Sequence, residues 1–116
     1  MQKAKRKTYN DGVLFICEQQ SAKSDFGAVR NQISLSDLMT LVKLSYCEMT
    51  KRDADITFAE SIGRQLSLKV KTLLHSAADA ARSVLIGDML YSIVKLDFDR
   101  KRNEMYLYLE EFRRLS

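Results

Sequence analysis

Val84-Leu85-Ile86-Gly87-Asp88-Met89-Leu90-Tyr91-Ser92-Ile93-Val94-Lys95-Leu96-Asp97, then Phe98-Asp99-Arg100-Lys101-Arg102-Asn103, then Glu104-Met105-Tyr106-Leu107-Tyr108-Leu109-Glu110, reads as strand, polar turn, strand. The first arm carries β-branched and large apolar residues on both parities, as a strand covered on both faces does. The second alternates Met105, Leu107 and Leu109 against Tyr106, Tyr108 and Glu110, and the pair predicts a β-hairpin. Its connection holds Asp97, Asp99 and Asn103, residues that bond their own backbone in turns, beside Arg100, Lys101 and Arg102, which need solvent. Gly87-Asp88 reads as a bend feeding the central strand; no further glycine follows and no helical pattern begins there, so it is not a phosphate loop.

Working back from this hairpin, Leu66 to Leu74 gives the cleanest alternation in the chain, with Leu66, Leu68 and Val70 expected inward and Ser67, Lys69 and Lys71 outward. Burying those three apolar side chains contributes roughly 1.5–3 kcal/mol each. Asp53 to Gly63 has the marks of the one helix of substance. Asp53 is positioned to cap it, Asp55 lies near the positive end of its dipole, Ile56, Ala59 and Ile62 share a stripe, and Gly63 ends it. So short a helix is marginal alone, and its stripe must pack on the sheet.

Leu38 to Met49 fits either a long strand or an amphipathic helix capped from Ser36-Asp37, and local pattern leaves both open. Val13 to Cys17 is a short apolar run after the turn signal Asn10-Asp11-Gly12, a first strand. Between these two, Ser21 to Asp37 is polar with scattered apolar residues and reads as a long flexible loop, a length usually reserved for disorder or function. His75 to Ser83 is weakly helical or loop, and Phe112 in the final segment is expected to tuck onto the body. The expected fold is mainly β: a small antiparallel β-barrel or sandwich of about five to six strands, with one short α-helix and a long loop between the first two strands. Residues 1–9 are expected to form a basic flexible arm and 10–116 a single domain.

The formal charge of +4 is carried by Lys3, Lys5, Arg6 and Lys7. The rest of the chain is balanced, which leaves no basic face for duplex DNA, although a short arm can touch phosphates or an acidic partner. No apolar run approaches a membrane span and no signal-peptide core follows the N-terminal charges, so the chain is expected to stay in the cytoplasm in which it is made, without membrane contact. Cys17 and Cys47 lack metal-ligand or redox spacing and read as reduced thiols.

No catalytic constellation can be assembled. His75 stands beside no nucleophile and reads as an exposed or turn-supporting residue; no nucleotide-binding or hydrolase motif occurs. Asp97 and Asp99 are explained by the turn rather than by a carboxylate pair or a cation site. Tyr91, Tyr106 and Tyr108 suggest either cross-strand packing or a base-stacking platform, the latter without the positive groove such platforms use. No catalytic residue, cofactor or metal is therefore expected.

Ile86-Gly87-Asp88-x-Leu90-Tyr91-x-Ile93-x-Lys95-x-Asp97-x-Asp99, closing on Tyr106-Leu107-Tyr108-Leu109-Glu110, resembles the C-terminal half of the head-closure, or head–tail joining, proteins of long-tailed non-contractile bacteriophages and their prophages. The likeness runs from Tyr9 to Glu110. It takes in Tyr9-Asn10-Asp11-Gly12-Val13-Leu14, Phe26-Gly27, Lys51-Arg52-Asp53, Phe58-Ala59-Glu60-Ser61 and Leu66-x-Leu68-Lys69-Val70-Lys71-Thr72. The pieces are individually common, and their order and spacing carry the likeness. Ser92 departs from the family's usual aspartate after the tyrosine, and Leu74 from a frequent proline.

What the resemblance implies is a non-enzymatic, β-barrel-like virion protein at the head–tail junction, in which Leu38–Met49 is a strand. It would act as a ring beneath the portal and adaptor proteins, closing the DNA-filled head and offering a docking surface to a tail-terminator or other tail protein. Genomic DNA would be touched only weakly and without sequence preference. On this reading Lys23, Asp25, Phe26 and Arg30 are candidates for a channel or stopper loop. Arg52, Asp53, Asp55, Lys69, Lys71, Arg100, Lys101 and Arg102 are candidates for ring or partner contacts. The alternatives are a small barrel that binds single-stranded nucleic acid through its tyrosines and basic arm, and a tail-completion or tail-terminator protein of the same virion.

Overall fold

The computed structural model describes residues 9–19 and 37–115. Within them the elements run β1 (Gly12–Gln19), β2 (Leu38–Met49), α1 (Asp53–Ser61), β3 (Leu68–Leu73), β4 (Ser83–Ile86), β5 (Met89–Asp99) and β6 (Glu104–Arg114). The strands close into an antiparallel barrel in the order β1-β2-β3-β6-β5-β4, with β4 pairing back to β1. Closure leaves none of these strands as a bare edge.

The hairpin expected at the C-terminal end is present as β5–β6, with Phe98 opposite Met105 and Asp99 opposite Glu104 at its turn. Asn103 turns the chain at φ 56°, a conformation in which asparagine is tolerated. The first arm differs from expectation. Gly87-Asp88 is a two-residue hairpin turn rather than a bend, with Ile86 opposite Met89 and Gly87 at φ 61°, so Val84–Ile86 reverses onto Met89–Tyr91. A left-handed glycine at the first loop position suits the twist of a tight hairpin.

Leu38–Met49 is one strand, bridging β1 and β3. Its apolar alternation slips once: Ile16 faces Val42 but Cys17 faces Thr40, leaving Leu41 as a bulge. This slip explains why periodicity alone left helix and strand open. Inside the barrel Leu14, Ile16, Tyr46, Val70, Val84, Ile93, Met105, Leu107 and Leu109 form one buried cluster. Tyr46 packs across Gly12, where an added Cβ would lie 2.9–3.1 Å from the phenol ring.

Two further clusters sit outside the barrel. On one side Cys17, Leu85, Leu90 and Leu115 pack together. The C-terminal tuck is therefore made by Leu115, whose N–H reaches the Asp88 carbonyl at 2.6 Å, while Phe112, expected to fill that role, stays 53% exposed. On the other side α1 covers the β3–β6–β5 face through Ala59, Leu66 and Tyr108, with Ile56, Val94 and Tyr106 around them.

Candidate functional site

The flank beneath α1 gathers residues that are far apart in sequence. The helix begins at Asp53, and its cap is built from Asp55, whose carboxylate accepts the Arg52 N–H at 3.0 Å; Asp53, expected as the capping residue, is already the first helical position. At the other end the Arg64 N–H reaches the Ala59 carbonyl and the Gly63 N–H the Glu60 carbonyl, a Schellman close that uses the φ of 72° at Gly63. Glu110 ties this corner down, accepting from the Arg64 Nε and the Gln65 N–H; these two donors hold its carboxyl below the usual carboxylate range.

Under the helix, Lys69 points at Asp55 with Nζ 2.9 Å from the carboxylate, and their side chains are 8% and 12% exposed. Burial alone would raise the Asp55 carboxyl, but the Lys69 ammonium and the Arg52 N–H outweigh it, and the net direction is downward. The Lys69 ammonium also lies 5.0 Å from the Tyr108 ring centroid and 5.8 Å from that of Tyr106. Tyr108 donates to Asp97 at 2.8 Å. Burial and that carboxylate push its phenol pKa up. Lys95 lies 5.1 Å from both the Tyr108 and the Phe58 rings, bridging barrel and helix.

Beside this stack opens a cleft of about 450 Å³ walled by Met49, Thr50, Arg52, Lys69, Asp97, Phe98, Asp99, Tyr106 and Tyr108. It is polar and aromatic, with charges of both signs. Among the described residues, no group of three or more histidine, cysteine or acidic side chains is placed to hold a metal ion.

The expected contact residues divide. Arg52, Asp53, Arg100, Lys101 and Arg102 are exposed. Asp55 and Lys69, expected to point outward to a neighbour, are instead committed to each other: the helix covers the face that alternation assigned to solvent. Lys71 is half-buried, 3.9 Å from Glu104. Lys23, Asp25, Phe26 and Arg30 lie outside the described residues. Asp99 plays its turn role, accepting the Arg102 N–H at 3.2 Å, whereas Asp97 serves Tyr108 instead. His75 supports its own turn, its Nδ1 accepting the Ala77 N–H at 2.9 Å.

One feature escaped the sequence reading. Tyr9, assigned to the arm, donates to Glu104 at 2.7 Å, and Glu104 is only 3% exposed. Burial and the neighbouring carboxylate push the Tyr9 phenol pKa up. The Tyr9-Asn10-Asp11-Gly12 piece of the resemblance held the only signal, and it was silent on the partner.

No protein-family model matches the chain, and no curated protein matches it.

Proposed function

We propose that this chain is a structural, non-catalytic protein of a bacteriophage head–tail connector. It binds as a ring beneath the portal and adaptor, closes the filled head and receives the tail. One observation carries the reading: several of the pieces of the head-closure resemblance, far apart in sequence, lie on a single flank. Arg52 and Phe58 come from α1 and its entry, Lys69 from β3, Lys95, Asp97 and Asp99 from β5, and Tyr106 and Tyr108 from β6. They form one stack and the cleft beside it.

At Tyr108, base stacking is disfavoured by the same geometry. Tyr108 is 6% exposed and its ring is already met by two ammonium groups, so it has no free face for a base. A tail-completion role in the same virion shares the barrel and the ring and differs only in the partner.

Reconstitution tests the proposal. Purified protein is added to DNA-filled heads and free tails from particles lacking it, and joined virions are counted. Restored joining, with the protein found on heads before tails are added, is expected. Stable binding to isolated tails and not to heads would move the assignment to the tail side; binding to neither would overturn it.

A further inference from the structure

Phe112 is the most exposed large apolar side chain among the described residues, at 53%. Its exposure follows from register. Leu90 faces Arg113 and Tyr91 faces Glu111, so Phe112 is the extra residue of a β-bulge, a device that re-aims a side chain out of the ladder. The ring carries the Arg113 guanidinium 5.8 Å from its centroid. Beside it Glu111 is exposed, and its carboxylate has no ion-pair partner among the described residues.

At the opposite end of β6, roughly 26 Å away at ~3.3 Å per residue, the barrel mouth holds a second cleft of about 450 Å³. Leu74, Ala78 and Phe98 give it apolar walls, and His75, Ser76, Arg100 and Asn103 a polar rim. Arg100 lies against the Phe98 ring at 5.5 Å and makes no ion pair among the described residues. Because His75 Nδ1 accepts a backbone N–H, its neutral form carries the proton on Nε2 and presents a donor.

Phe112 with Glu111 beside it at one end of the molecule, and a mouth with apolar walls and Arg100 on its rim at the other, are complementary in shape and, between Glu111 and Arg100, neither of which makes an ion pair among the described residues, in charge. They cannot meet within one chain. We infer that the barrel mouth receives Phe112 of a second copy of this chain, with Glu111 of that copy set against Arg100. Such a contact is heterologous: it uses two different patches, so it propagates head to tail and makes a ring if the rotation closes or a filament if it does not. The inference deepens the ring-forming reading above by naming the self-contact, and rests on that reading only for closure.

The test places the photoreactive analogue p-benzoyl-phenylalanine at position 112, which keeps an aromatic knob. The full chain is irradiated at roughly millimolar concentration, where so small a contact is populated. Intermolecular crosslinks mapping to Leu74, Ala78 or Phe98 are expected. Arg100→Glu should cut the crosslinked fraction severalfold, and combining it with Glu111→Arg should restore it, with thermal unfolding confirming that each variant is folded. Crosslinks to other surfaces, dominant 112–112 products, or no intermolecular product would overturn the contact. Connector rings on heads without the 112-to-mouth crosslink would overturn it while leaving the connector reading intact. The crosslink in a protein that never joins a virion would sustain the contact and sink the connector reading.

Discussion

Replacing Asp55 with asparagine leaves the Lys69 ammonium facing a neutral amide in a site where both side chains keep only about a tenth of their exposure. Removing one partner of a well-buried pair costs about 3–5 kcal/mol. The residual exposure and the flanking Tyr106 and Tyr108 rings soften the loss, so Asp55→Asn should cost about 2–3 kcal/mol. In a chain of this size that lowers Tm by roughly 10 °C. Urea unfolding followed by far-UV circular dichroism measures it, with an unchanged m-value showing that the denatured state is the same. The pH dependence gives a second handle. The native Asp55 carboxyl titrates below its ordinary value, so its stabilisation is complete above the unfolded pKa of ~4 and is lost as pH falls through the lower native value. The gap between wild type and Asp55→Asn should therefore shrink as pH drops below about 4, as the wild-type carboxyl also becomes neutral. Adding Lys69→Met to Asp55→Asn should recover part of the loss, since no unpaired charge then remains under the helix. A loss below about 0.5 kcal/mol, the range of solvated surface pairs, would refute the reasoning.

Other substitutions probe other parts of the barrel. Leu107→Ala, at a position without solvent exposure, should cost about 2–5 kcal/mol by denaturant titration. Gly12→Ala drives a methyl against the buried Tyr46 ring and should cost about 1–3 kcal/mol, a loss that Tyr46→Leu in the same chain should reduce. Gly87→Ala forces an alanine to a φ of 61° at the β4–β5 turn and should cost about 1–2 kcal/mol, readable as a lower Tm. Tyr108→Phe removes the hydroxyl that Asp97 accepts and should cost about 0.5–1.5 kcal/mol.

Much of the fold was legible because local rules and tertiary structure agree. The β6 alternation places Met105, Leu107 and Leu109 in the barrel, and Gly63 ends α1 as its position suggested. Of the readings that failed, two show the reason most clearly. The apolar run on either side of Gly87-Asp88 hid a reversal, although glycine followed by aspartate between apolar runs is itself a hairpin signal. Lys69 was assigned to solvent because alternation reports two faces but not what covers them. The covering element, α1, is inserted between β2 and β3, and the clue was across the ladder: Lys69 pairs with Tyr108, and a strand whose second face carries two tyrosines needs a lid. The flank was not legible as a unit, since Arg52, Lys69, Asp97 and Tyr108 meet only after β3, β5 and β6 are laid side by side.

The most direct test of the connector account is electron microscopy of lysates from the phage or induced prophage that carries this gene, with the gene deleted and intact. The account predicts that deletion yields complete free tails beside tailless heads, many emptied of DNA, with joining restored when the gene is supplied in trans. Normal joined particles from the deletion strain would contradict it.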